Sequence, residues 1–139
     1  MESISEDPCV VSVFKAYGFT CMIRHHPELG ILNGYVILPK GHPLYRKSAE
    51  EIERYVEVHG GVTFCEEWKE GWVVGFDTAH AEDFVPGMFG ISHESSMFKG
   101  RKWTAKDVIE ETKRLAKQLR VEELIAKGLK EVYENPHGY

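Results

Sequence analysis

The chain has 139 residues, of which 42% are hydrophobic and 28% charged; 17 Lys plus Arg stand against 22 Asp plus Glu, for a net charge of −5. That is the size and balance of one globular domain, and it excludes a disordered tail, a collagen-like rod and a membrane span, since no apolar run approaches about 18 residues. The acidic start, Met1 to Asp7, has no basic stretch leading into an apolar one, so no secretory signal is expected and the expected location is cytoplasmic.

Residues 1–9 read as a loose acidic lead-in. Val10, Val11, Val13 and Phe14 then open an apolar stretch, either a short strand or a helical turn. Residues 19–24 and 31–38 are rich in β-forming side chains and flank the Pro27 and Gly30 of a loop, so they read as a hairpin that Pro39 and Pro43 terminate. Ser48 with Glu51 fits a capping box and starts a short helix. Residues 56–64 are a strand candidate interrupted by Gly60-Gly61. Residues 72–76 are its partner across a tight connection from Glu66 to Gly71. Residues 77–103 hold many Gly, Pro, Ser and aromatic residues without a sustained period. From Thr104 to Gln118 the apolar stripe Val108, Ile109, Leu115, Ala116 and Leu119 predicts a long helix, N-capped by Thr104 with Asp107 at the third position. A second helical segment, 121–133, carries Leu124, Ile125, Leu129 and Val132 on one face. The expected fold is α+β: one domain over residues 1–139, core about 10–133, ends at 1–9 and 134–139 loose. An antiparallel sheet of about four or five strands packs against one long and one or two shorter helices.

Charge is unevenly spread. Residues 1–98 carry a net −8, residues 99–120 a net +5, and residues 121–139 a net −2. The basic block reads as a solvated helix face, or as the counter-charge for a phosphorylated small molecule or an acidic subunit surface. The acidic balance opposes nucleic-acid binding, and no zinc, helix-turn-helix or RNA-recognition pattern is present. Cys9, Cys21 and Cys65 are odd in number and have no Cys-x-x-Cys spacing, so they read as core thiols.

Two segments combine reactive side chains with turn glycines near strand ends: Val58-His59-Gly60-Gly61-Val62-Thr63-Phe64 and Gly75-Phe76-Asp77-Thr78-Ala79-His80-Ala81-Glu82-Asp83. If residues 61–65 and 72–76 pair, His59 and the Asp77–His80 segment fall near one end of the sheet. His59 and His80 could then move protons, with Asp77 orienting an imidazole. Gly60 and Gly61 allow a ligand close to the backbone, where successive amides could receive an oxyanion. His59, Asp77, His80 and Asp83 are also the candidate ligands of a divalent metal, although the spacing alone is weakly specific. His42, between a strand and a capped helix, is a candidate ligand contact, with rigid turn punctuation as the alternative. Each of these residues equally suits a turn cap, a buried hydrogen bond or a bulge.

The ordered series Gly34-Tyr35-Val36, Gly41-His42-Pro43-Leu44-Tyr45, His59-Gly60-Gly61-Val62-Thr63-Phe64 and Gly75-Phe76-Asp77-Thr78-Ala79-His80 with Asp83, followed by a helix like residues 108–119, resembles a family of small uncharacterised proteins frequent in bacteriophages and prophages. The resemblance covers about residues 18–120. It implies that His59, Thr63, Asp77, His80 and Asp83 belong together, and it brings no reaction with it. Other members often carry a cysteine where this chain has Thr78, so a thiol there is not required.

These readings converge on a His/Asp pocket with His59, Asp77 and His80 as catalytic candidates and His42, Gly60, Gly61, Thr63 and Asp83 as binding candidates. The expected activity is hydrolysis of a small phosphorylated or nucleotide-like molecule, its charge held by the 99–120 block. The alternative is a non-catalytic binder that sequesters a small nucleotide or a host protein, with aromatic residues such as Trp103 available for stacking. A structural role in which these residues only fix turns is the third reading.

Overall fold

The structure, a computed structural model, describes residues 1–79 and 103–134, with side chains to residue 128 in the last helix. His80 and Asp83 therefore lie outside the described residues. Among those described, five strands form one antiparallel sheet: β1 (Val10–Ala16), β2 (Phe19–His25), β3 (Leu32–Leu38), β4 (Phe64–Trp68) and β5 (Gly71–Phe76), in the spatial order β1-β2-β3-β5-β4. A short helix α1 (Ala49–Ile52) and a long helix α2 (Ala105–Glu134) complete the α+β domain. Among the described residues no helix is long and apolar enough to cross a membrane.

The residues at 10–14 resolve as a strand. β1 joins β2 through Tyr17-Gly18, both at positive φ (52° and 85°), the backbone that a two-residue type I′ hairpin requires. The 19–24/31–38 hairpin forms as the sequence indicates, with Met22 opposite Tyr35 and Cys21 opposite Val36. β4 and β5 are longer at their turn than expected, leaving only Lys69 and Glu70 between Trp68 and its partner Gly71.

Residues 57–63 are not a strand. The Glu57 and His59 amides donate to side chains of α2, Gln118 Oε1 and Glu111 Oε2, each at 2.7 Å, and the Gly61 amide donates back to Val58 O at 2.8 Å. With these donors committed to the helix and to a turn, the ladder starts only at Phe64. The two helical segments expected at 104–118 and 121–133 are one helix, since Leu119, Arg120, Val121 and Glu122 are helix-compatible residues with no breaker among them. Thr104 and Asp107 cap it reciprocally, the Asp107 amide donating to Thr104 Oγ1 at 3.1 Å and the Thr104 amide to Asp107 Oδ2 at 3.0 Å.

α2 crosses the sheet with Val108, Thr112, Leu115, Ala116 and Leu119 fully buried, the i, i+4, i+7, i+8, i+11 stripe of one helix face. They pack with Phe19, Cys21, Ile23, Val36, Leu38, Val74 and Phe76 from the sheet and with Ile52, Val56, Val58 and Val62 from the intervening segment. Gly34 makes that approach feasible, because a Cβ there would overlap Thr112 Oγ1 and lie 2.6 Å from the Phe76 ring. The opposite face buries Met22, Tyr35, Ile37, Trp68 and Val73. The lead-in expected to be loose is tied to this part of the molecule. Ser3 is buried and donates to Glu70 Oε2 at 2.7 Å, Lys69 N donates to Glu2 O at 2.8 Å, and Asp7 pairs with Arg24 at 2.7 Å.

Candidate functional site

His42 follows β3 in a tight turn, buried against Phe19 with ring centroids 5.7 Å apart. Its Nδ1 accepts the Leu44 amide at 3.0 Å, which puts the ring proton on Nε2, and Nε2 donates to Leu119 O of α2 at 2.8 Å. Both nitrogens are thus engaged by backbone. Burial holds the imidazole below its ordinary pKa, in the neutral form this arrangement needs. The ligand-contacting role expected for His42 is corrected: the side chain fastens the turn to the helix, the punctuation role with an added long-range bond.

The Gly60-Gly61 turn also differs from the expected oxyanion cradle. Both glycines have positive φ (68° and 85°), so the turn itself requires them. The amide that follows, Val62 N–H, donates to Glu53 Oε1 at 2.7 Å, and a Cβ on Gly61 would overlap that same oxygen. The protein's own carboxylate fills the place an anion would take. Thr63 is exposed, its amide donating to Gly75 O at 2.9 Å.

Asp77 ends β5 and accepts the Ala79 amide at 3.0 Å through Oδ1, an Asx turn. Its charge acts on Tyr35, on the sheet face away from α2. Thr78 is buried; its hydroxyl donates to Leu32 O at 3.2 Å and its amide to Asn33 Oδ1 at 3.3 Å. His59 is tied to the other side. Its amide is held by Glu111 of α2, and its ring lies against Trp103, centroids 4.4 Å apart at 48°. The described contacts thus hold the His59 amide on α2 and the Asp77 carboxylate on the Ala79 amide. Among the described residues no group of three or more His, Cys, Asp or Glu side chains could hold a metal. The proposed ligands His80 and Asp83 lie beyond those residues.

An open groove of about 470 Å³ runs beside His59 along the start of α2. Trp103 and Tyr17 line it with Glu111, Lys113, Arg114 and Lys117, which places part of the basic block next to two aromatic rings. The groove also holds Asp107 and Glu110, so its charges balance in number, but the carboxylates are already engaged. Asp107 caps the helix and Glu110 lies 3.8 Å from Lys113. Glu111 receives Arg114 through both Nε and Nη2 at 2.9 Å, and this pairing, helped by the His59 amide, holds its carboxyl below the usual carboxylate range. Lys117 has no carboxylate partner among the described residues.

Sequence reasoning missed Tyr17 and Glu111 as part of this groove. Tyr17 had a signal in the Tyr-Gly turn between two apolar runs; Glu111 had none, because its role depends on which loop lies over the helix. Of the three thiols read as core, Cys21 lies in it and Cys65 packs against it, whereas Cys9 is half-buried beside a small cavity. Burial pushes Cys21 up to about 12 and Cys65 up to about 11, so neither of these is a ready nucleophile. Compared with family models, with curated proteins and with solved structures, the chain matches none.

Proposed function

We propose that the protein binds a small phosphorylated, nucleotide-like molecule in the groove between the Tyr17 turn, Trp103 and the first turns of α2. The observation that carries this reading is the placement of Lys113 and Lys117 beside two aromatic rings in one groove of about 470 Å³, the size range of small-ligand sites. A flat base or similar ring stacks on Trp103 or Tyr17. The phosphate sits toward Lys117, the cation with no carboxylate of its own among the described residues, and Lys113 reaches it from the side. The Arg114–Glu111 pair and the His59–Trp103 contact form the wall. Binding without turnover is the favoured form, since among the described residues His59 is the one histidine in contact with a groove residue, Trp103.

Calorimetric titration with adenosine monophosphate and with adenosine tests this. The monophosphate should bind more tightly than the nucleoside, and the double variant Lys113→Ala/Lys117→Ala should weaken its binding by about tenfold or more, the scale of one or two lost charge-assisted contacts. The ligand should be recovered unchanged after prolonged incubation. Equal affinity for monophosphate and nucleoside would rule out the phosphate assignment. Conversion that disappears in His59→Ala would replace the binder with a hydrolase at the same groove.

A further inference from the structure

On the opposite face of the sheet from α2, a cavity of about 90 Å³ opens among Cys9, Arg24, His25, His26, Asn33 and Tyr35. Arg24 is the one charged side chain of β2. Its guanidinium lies 5.4 Å from the centre of the Tyr35 ring and 5.5 Å from that of Trp68, and it is anchored by Asp7 at 2.7 Å and by Tyr35 Oη at 3.5 Å. These contacts use the two terminal nitrogens. Nε is buried and has no hydrogen-bond partner among the described residues.

Of the neighbouring groups, His26 also presents a donor. His26 Nδ1 accepts the amides of Glu28 at 3.2 Å and Leu29 at 3.0 Å, so in the neutral ring the proton lies on Nε2. Asn33 commits its carbonyl oxygen to the Thr78 amide and its NH2 to the Tyr35 hydroxyl. Asp7, the carboxylate paired with Arg24, is itself tied by the Cys9 amide at 2.8 Å. A buried donor without an acceptor costs on the order of 1–3 kcal/mol, so the unpaired Nε–H of Arg24 favours a guest that accepts there.

From this arrangement we infer that the cavity is a second binding site, one that takes a small oxyanion, carboxylate or phosphate, through Arg24 Nε and His26 Nε2. Its volume suits one such group and is far too small for a nucleotide, so it is distinct from the groove on α2. Asp77, whose charge reaches Tyr35, favours a singly charged guest over a multiply charged one.

The side-chain Nε–H of Arg24 gives a direct readout in a nitrogen–proton correlation spectrum of the full chain. Titration with sodium formate and with sodium phosphate should move this signal saturably, while sodium chloride at equal ionic strength should not. Earlier saturation with formate assigns a carboxylate, and earlier saturation with phosphate a phosphate group. Arg24→Lys, which keeps the charge opposite Asp7 but lacks Nε, should weaken binding by about tenfold, measured by calorimetry. Lys113→Ala/Lys117→Ala should leave the Arg24 shift unchanged. No saturable shift of the wild-type Arg24 signal with either anion, or an equal shift with chloride, would overturn the inference.

Discussion

His42 shows how a residue suited to chemistry by type becomes part of the scaffold by position. Its Nδ1 takes the Leu44 amide and its Nε2 reaches the Leu119 carbonyl, 77 residues further along the sequence, and the arrangement holds only for the neutral ring. Because burial keeps the folded-state pKa below the ordinary value near 6.5, the unfolded chain takes up a proton first. The stabilisation is therefore present above about pH 6.5 and is lost as pH falls through that value toward the lower folded-state pKa. Urea denaturation at a series of pH values should show stability decreasing below about pH 6.5. The variant His42→Gln should be less stable by about 2 kcal/mol at neutral pH and should show a flatter profile in that window. Gly61 gives a second residue-scale test. With φ at 85° and Glu53 Oε1 where a Cβ would sit, Gly61→Ala should cost about 1–3 kcal/mol in the same denaturation assay. No loss would mean that the Glu53–Val62 contact is not what shapes the turn.

At the scale of elements, periodicity and punctuation in the sequence carried most of the outcome. The 19–38 hairpin, the Ser48 and Thr104 caps and the buried stripe of α2 follow from alternation, proline and glycine, and helical spacing, all properties of neighbouring residues. The failures have a common cause. Residues 57–63 look like a strand until the amides of Glu57 and His59 find Gln118 and Glu111 on a helix more than 50 residues away. The lead-in looks loose until Glu2, Ser3 and Asp7 meet Lys69, Glu70 and Arg24. Such partners are set by tertiary contact, which local pattern does not encode. The α2–β3 crossing yields its own prediction. Gly34→Ala should destabilise the fold by about 2–4 kcal/mol, since Thr112 and Phe76 both stand in the way, and Thr112→Ala should restore part of the loss. Thermal unfolding of the single and double variants, compared as a mutant cycle, measures that coupling.

Taken as a whole molecule, the sheet divides the polar groups into two sets. His59, Trp103 and the basic turns of α2 lie on the helix side, whereas Arg24, Tyr35 and Asn33 belong to the other. A single pocket built from His59 and Asp77 was the natural expectation from strand pairing, because the residues end neighbouring segments. Phe76, the last residue of β5, joins the helix-side core, and Asp77 just after it holds the Ala79 amide. The basic block at 99–120 was legible in the sequence as a charge cluster, but its aromatic companion Tyr17 reaches it only through the positive-φ turn between β1 and β2.

The groove on α2 is the central claim, and a chemical-shift titration of isotopically labelled protein with adenosine monophosphate tests it most directly. The account expects saturable shifts concentrated on the Trp103 indole, the Tyr17-Gly18 turn and the amides of residues 110–117. Shifts that are absent at saturating ligand, or that gather on residues remote from this groove, would contradict it.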